Sequence, residues 1–382
     1  MKDIFPRLDS LRPNPDWAKL PLFNRKGWKR VPFGAFADSI NERVEPSDAA
    51  EEIYVGLEHL DSQNLHIRRW GKGSDVIGTK LRFRKGDIIF GRRRAYQRKL
   101  AVAEFDGICS AHAIVVRAKP GLVLPEFLPF LMMSDRFMNR AVEISVGSLS
   151  PTINWKTLKL EEFELPPLDQ QFRIKEVLWA VDEVCERLHH TRDAAAMSRN
   201  RSLAGMLSDR TNGTIRVGDV AKFTSGKSIV VSNLSTNRSS DNSIPVYGGN
   251  GISGFTHSFL CNDKTIVIGR VGQFCGCVCL ANEPSWITDN ALMISHMDNR
   301  VDLKYLALCL EGSRLNQRKI GNYLPLINQR VVHETRIPLP NLNIQARFVE
   351  EIVHKDGLVQ ILDQYTSDTY KFGMQLLDTL LS

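Results

Sequence analysis

The sequence has no run approaching 18 uncharged apolar residues, so no segment of it reads as a spanning helix. It has no excess of charge that would keep a chain unfolded. Of its 382 residues 24% are charged and 43% apolar, which excludes a disordered polyelectrolyte and permits buried cores. Cysteine is sparse and odd in number, seven, without small-domain disulfide spacing. That predicts mostly reduced thiols and a cytoplasmic protein. The opening Met1-Lys2-Asp3-Ile4-Phe5-Pro6 lacks the apolar core of a signal peptide. Catalytic signatures are missing too: no Pro-Pro-Tyr adenine-methylation string, no dinucleotide-type glycine pattern with its acid, no metal-carboxylate set. Lys227 follows Ser225-Gly226, but Ala221 stands where a phosphate loop needs glycine. Cys275, Cys277 and Cys279 alternate, which on a strand puts them on one face. Structural zinc prefers Cys-x-x-Cys pairs, so a buried row is expected and no metal. His112 beside Ser110 and Cys109 lacks a third orienting group and reads as a packed or hydrogen-bonded histidine.

What is present is a basic patch. The 50 Lys+Arg exceed the 43 Asp+Glu by a formal +7, yet residues 66–99 alone hold twelve Lys/Arg against two acids. Arg68-Arg69, Lys80 to Lys85, Arg92-Arg93-Arg94 and Arg98-Lys99 are its dense parts, with Trp70 and Tyr96 among them. Such a surface attracts phosphate, with steering that salt removes. A solvated basic face of a β-rich domain is the alternative.

The length is too great for one ordinary domain. Five segments are expected: an irregular leader, 1–26, rich in proline; a β-rich region, 27–167; a long helix, 168–212; a second β-rich region, 213–341; and a last helix, 342–382. Short strands are predicted at 53–55, 87–90 and 113–116, then at 243–247, 265–268 and 276–280. Helices are predicted over 125–143 and 302–318. Ile174, Leu178, Val181, Cys185 and Leu188 recur at heptad steps and call for a partner helix. The last helix offers Phe348, Ile352, Leu358, Ile361, Leu362 and Tyr365 as anchors, while Gly357 and Gly373 weaken it enough to kink.

The chain also repeats itself once. At an offset of 174, Gly147 matches Gly321, Asn154 matches Asn328, Leu165-Pro166 matches Leu339-Pro340, and Gln171 matches Gln345. Upstream, Ile88 to Arg92 resembles Ile266 to Arg270, and Ile108 to Ala113 takes the place of Ile287 to Leu292. Two copies are too few for a solenoid. An α+β, two-module protein with pseudo-two-fold symmetry fits, its long helices antiparallel and its β-rich domains apart, as for paired DNA half-sites.

Three stretches of the second module carry a family resemblance. They are Ile244-Pro245-Val246-Tyr247-Gly248-Gly249-Asn250-Gly251, then Ile268-Gly269-Arg270-Val271-Gly272-Gln273 with Trp286-Ile287-Thr288-Asp289-Asn290-Ala291, then Leu324-Pro325-Leu326-Ile327-Asn328 with Ile337-Pro338-Leu339-Pro340. In these the chain resembles the specificity subunit of type I restriction-modification systems over roughly residues 28–382. The resemblance implies two target recognition domains, each reading half of a bipartite, asymmetric duplex DNA target, and two spacer helices that set the gap. It also implies two methyltransferase subunits docked on those helices, acting on adenine N6 with S-adenosylmethionine. Restriction and translocation subunits driven by ATP and Mg would complete the assembly. This chain would bind no cofactor and do no chemistry. A standalone methyltransferase or nuclease-like enzyme, or an adaptor without DNA contact, are the competing readings.

Candidate DNA-contacting residues follow. Arg270 and Gln273 flank glycines past a strand, where arginine pairs with guanine or grips phosphate and glutamine pairs with adenine; a tight hairpin is the plainer reading. Asn250 and His257 belong to a glycine-rich loop. Lys227, Arg314, Arg318 and Lys319 are phosphate candidates. In the first module Arg92, Arg93 and Arg94 occupy the corresponding place, with Tyr96 and Arg98 beyond. Lys80, Arg82 and Arg84 alternate, giving a phosphate-facing ridge or a solvated edge strand.

Overall fold

A computed structural model describes residues 19–209, 211, 213–230, 232, 234–318 and 325–381. Most of the leader, together with Lys319, Gly321 and Leu324, therefore lies outside the described residues. The chain divides into two compact units, Met1–His189 with Gln364–Ser382, and His190–Asp363. Each unit holds one β-rich domain and one half of each long helix, Leu168–Ser208 and Leu342–Leu381.

In the first unit a four-stranded antiparallel sheet runs in the order Ala37–Ile40, Ala113–Ala118, Ile88–Gly91, Leu100–Val102. A five-stranded sheet beside it contains the parallel pair Ile53–Val55 and Gly107–Cys109. In the second unit the four strands are Ala221–Ser225, Ala291–Met297, Thr265–Gly269 and Val278–Ala281. Its neighbouring sheet again contains a parallel pair, Ile244–Gly248 with Trp286–Ile287. Each domain is closed by a two-stranded ribbon leading into its long helix, Lys29–Pro32 on Glu162–Leu165 and Thr214–Arg216 on Arg336–Pro338. The repeat seen in sequence is thus a repeat of topology. Apolar strand faces bury Phe33, Phe90, Phe137 and Phe163 in the first unit, and Phe223, Ile268, Tyr305 and Ile337 in the second.

The matched glutamines explain why the repeat is strictest at the helix starts. Gln171 is fully buried; its amide donates to Pro166 O and Leu122 O, both at 2.9 Å, and accepts from Leu124 N at 2.9 Å. Gln345, also fully buried, donates to Pro340 O at 2.8 Å and Arg300 O at 2.9 Å, and accepts from Asp302 N at 2.8 Å. A buried amide with its bonds made fixes one geometry, because leaving any of them unmade is costly.

Local capping corrects two expected helices. The segment 125–143 is two helices, Leu128–Met133 and Asp135–Glu143, because Ser134 interrupts it and its hydroxyl accepts from Phe137 N as an N-cap. Over 302–318 the helix is Leu303–Gly312, capped by Asp302, and a left-handed Arg314 at φ 49° separates it from a short turn at Leu315–Arg318. The last helix does not break at Gly357 or Gly373. A Cβ on Gly373 would lie 3.0 Å from Val181 Cγ1, so this glycine lets the two helices approach closely. The cysteine row is not one strand face either. Strand Val278–Ala281 begins after Cys275 and Cys277, Cys275 is buried in the preceding loop and Cys277 is exposed.

The seam is half as expected. In the first unit Ile174 and Leu178 are buried with Leu377, Leu380 and Leu381, while Val181, Cys185 and Leu188 are partly buried and Tyr365 is half-covered. In the second, Phe348, Ile352 and Leu362 are buried, but Leu358 is 43% exposed and Ile361 52% exposed. Ile361 is two and a half turns beyond Ile352 and so faces away from it. Polar pairs take the intervening contacts: Arg192 with Asp363 at 2.9 Å, Arg199 with Asp356 at 2.9 Å, and Ser202 with Glu351 at 2.8 Å. Rising numbers on one helix meet falling numbers on the other, so the pairing is antiparallel.

Within the first unit, His66 ties the β-rich domain to the central helix. Its Nε2 meets Asp182 at 2.7 Å and its Nδ1 meets Glu104 at 2.6 Å. The Asp182 hydrogen bond, aided by Glu104 and opposed by burial, raises its pKa to about 9. An imidazolium here contributes stability that is complete below pH ~6.5 and disappears as pH rises through about 9. The unfolding free energy of the full chain, read by denaturant titration, is expected to fall between pH 6.5 and 10 by on the order of 3 kcal/mol. His66→Gln should remove that step, and an unchanged pH profile in the variant would refute the assignment.

Candidate nucleic-acid interface

In each unit an inner strand of the four-stranded sheet ends in a buried glycine followed by arginine, Gly91-Arg92 and Gly269-Arg270. A Cβ at Gly269 would stand 2.3 Å from Gly249 O, so only glycine allows that approach. The backbone bonds around the two arginines coincide. Arg92 N donates to His112 O at 3.2 Å and Arg92 O accepts from Ile153 N at 2.9 Å; Arg270 N donates to Asn290 O at 2.9 Å and Arg270 O accepts from Ile327 N at 2.8 Å. Ser110 N meets Val55 O at 3.1 Å as Thr288 N meets Tyr247 O at 2.9 Å. These bonds fix Arg92, Ser110 and His112 against Arg270, Thr288 and Asn290, at an offset of 178 residues. The alignment of Ile108 to Ala113 with Ile287 to Leu292 is therefore one residue out of step. His112 stands where Asn290 stands, Ala111 where Asp289 stands, and Ser110 where Thr288 stands.

The same offset places Tyr96 opposite Phe274, both exposed. Gln97 N donates to Arg94 O at 2.8 Å, and Cys275 N to Gly272 O at 3.1 Å, which sets that match. Phe274 carried no signal of its own in sequence; the offset of the two strand-Gly-Arg segments would have found it. Arg93 and Arg94 stand where the second unit has Val271 and Gly272, so the first unit replaces an apolar-glycine turn with two exposed cations.

Most of the 66–99 charge is not available to phosphate. Lys80 is buried, with its ammonium donating to Ile77 O at 2.5 Å and Gly78 O at 2.6 Å. Arg82 pairs with Glu52 at 2.7 Å and Glu42 at 3.2 Å, and Arg84 with Asp106 at 3.3 Å. The expected ridge is thus answered inside the chain, Lys80 by backbone carbonyls and Arg82 and Arg84 by carboxylates, rather than by solvent or an external anion. Arg68 pairs with Glu186, Arg69 with Asp61, and Arg98 with Asp135, so Arg98 is a structural link instead of a free cation. Lys99 donates to Leu57 O at 2.6 Å. Arg93 and Arg94 remain exposed, without a side-chain partner among the described residues, and Arg92 Nε is buried and unpaired.

Arg92 lines a cleft of about 510 Å³ whose other cations are Arg43, Lys80 and Lys156 and whose walls hold no carboxylate. Beside it a shallower groove of about 650 Å³ is lined by Tyr54, Asp75, Lys80, Ser110 and His112. Desolvation, then Arg93, Arg92 and Lys80, lower the His112 pKa. In the second unit Arg270 is half-buried, donating to Ser225 Oγ at 3.2 Å and Asp289 O at 3.4 Å, with no carboxylate partner. Lys227, Asn250, His257, Gln273 and Arg314 are exposed on loops and turns of that domain. Arg318 donates to Thr335 Oγ1 at 2.7 Å. Among the described residues no group of three His, Cys, Asp or Glu is placed to hold a metal, and no helix is long and apolar enough to cross a membrane.

A family model described as the type I restriction modification DNA specificity domain matches residues 70–196 and 210–369. The chain belongs to this family. Specificity-domain similarity extends to the Escherichia coli EcoDI type I restriction enzyme specificity subunit, 28% identical over 155 residues, which are 38% of this chain and 33% of that protein. The Escherichia coli EcoprrI specificity subunit is 24% identical over 139 residues, 36% of this chain and 34% of the relative. The chain thus spans about a third of the length of each curated relative it matches. Its fold is that of a type I restriction-modification S subunit from M. genitalium, with TM-score 0.61 at 17% identity, covering 95% of this chain and 98% of the other. A chain solved for complex assembly and conformational transition of a type I R-M system gives TM-score 0.56 at 20% identity, covering 93% and 98%. Two β-rich domains on a long helix pair are therefore the architecture of this specificity family.

Proposed function

We propose that this chain is the sequence-reading, non-catalytic component of a type I restriction-modification assembly in the cytoplasm. Its two β-rich segments, 27–167 and 213–341, each take one half of a bipartite, asymmetric duplex DNA target. The helical segments 168–212 and 342–382 act as the spacer, a coiled-coil-like pair that sets the gap. Two methyltransferase subunits carrying S-adenosylmethionine dock on exposed apolar helix positions such as Val177, Val184, Leu358 and Ile361, which are 37–52% exposed. Restriction and translocation subunits supply ATP- and Mg-dependent cutting. The observation that carries the reading is the carboxylate-free cationic cleft around Arg92, built on the same Gly-Arg backbone that recurs at Arg270. A concave site whose Arg43, Arg92 and Lys156 have no carboxylate partner among the described residues fits a polyanion better than a neutral partner.

The contacts follow from exposure and free charge. Arg92, Arg93, Arg94, Lys227 and Arg270 lie along phosphate, and Tyr96 and Phe274 pack on sugar or base. Gln273, Asn250 and His257 face the groove. The test is to map methylated adenines in DNA exposed to the complex reconstituted with its methyltransferase subunits. A bipartite motif with a fixed gap is expected; random methylation or one short continuous motif would refute the reading.

A further inference from the structure

The loop that follows the parallel strand pair is built identically in both units and differs in its side chains. Ala113 N donates to Ser110 O at 2.9 Å, and Ala291 N to Thr288 O at 3.0 Å. The tip of each turn is bonded back to the Gly-Arg segment through His112 O or Asn290 O. The backbone is therefore fixed from both sides. The residues before the tip, Cys109 and Ile287, are buried, whereas Ala111, His112, Asp289 and Asn290 are exposed. Neither the His112 ring nor the Asn290 amide has a hydrogen-bond partner among the described residues, and Asp289 has no ion pair. Two copies of one rigid scaffold thus present different, unspent hydrogen-bonding groups beside the same arginine.

Resting on the proposed function, we infer that the tip pairs Ala111-His112 and Asp289-Asn290 are specificity-determining positions, each contacting base edges of its own half-site. The chemistry differs as it must for unlike halves. Asparagine offers an amide that pairs bidentately with adenine, and aspartate accepts from cytosine. A neutral imidazole offers one donor and one acceptor, and alanine only a methyl contact. Desolvation, then the neighbouring cations, favour the neutral ring at His112. Arg92 and Arg270, anchored on the loop by their own backbone, hold the tip against the duplex without themselves having to discriminate.

The test exchanges the tips in the reconstituted complex. Ala111→Asp with His112→Asn should change the preferred base at one or two positions of one half-site, altering relative methylation by about tenfold to a hundredfold there. The other half-site and the gap should stay as they were. Asp289→Ala with Asn290→His should do the same to the other half. An unchanged motif in both variants overturns the inference. Loss of methylation on all sequences in both also overturns it, since each exchanged pair already occurs on that backbone. A wild-type complex that yields no bipartite motif instead removes the proposed function itself.

Discussion

Replacing Gln345 with leucine is expected to destabilise the second unit by about 3 kcal/mol or more. The change strands three buried backbone groups at once, Pro340 O, Arg300 O and Asp302 N, each now within 2.9 Å of the amide. One unmet buried group costs about 1–3 kcal/mol. Asp302 also caps the helix Leu303–Gly312, accepting from Tyr305 N at 2.9 Å, so its displacement loosens that helix start as well. Gln345→Glu should be nearly as harmful, because it keeps an acceptor for Asp302 N but turns a carboxylate oxygen on two carbonyls. Gln171→Leu should act alike in the first unit, where Pro166 O, Leu122 O and Leu124 N lose their partner. Denaturant titration of the full chain reads the effect. A shift below about 0.5 kcal/mol, the usual range for a surface change, would show that the amide is not the staple described.

That glutamine pair marks how far the sequence could be read. The repeat at offset 174 made Gln171 and Gln345 visible as equivalents, and the two long helices followed from heptad spacing after Leu-Pro. What the amide does was not legible, because two of its three partners in each unit come from loops 43 to 49 residues away. The same limit explains the basic window. Arg82 is answered by Glu52, 30 residues distant in the chain, so a local count of charge finds a ridge that the fold has already neutralised. Leu358 and Ile361 are apolar yet exposed, because apolar identity alone does not set the seam: the helical period points Ile361 away from Ile352. The loop register is not legible in sequence because the string Thr-Asp-Asn-Ala has no literal copy in the first module; the backbone bonds to Val55 O and Tyr247 O fix it.

The double substitution Arg93→Ala with Arg94→Ala should remove most of the first unit's grip on DNA while leaving the fold intact. Both side chains are exposed and unpaired among the described residues, so their loss exposes no buried group. Each phosphate contact contributes about 0.9 to the slope of log affinity against log salt. Removing two should flatten that slope by about 2 and weaken binding on the order of tenfold to a hundredfold near 0.1 M salt, roughly equally on target and non-target duplexes. Arg82→Ala supplies the contrast. It breaks the pairs to Glu52 and Glu42 and leaves Glu52 without its cation, while Arg84 still lies 3.7 Å from Glu42, so it should lower stability and leave the salt slope nearly unchanged. Arg82 and the Arg93, Arg94 pair differ in one physical respect, whether the fold has already supplied the anion. Equal loss of salt slope from Arg82→Ala and from the Arg93, Arg94 pair would mean that intramolecular carboxylates do not decide which cations of the 66–99 window meet the duplex.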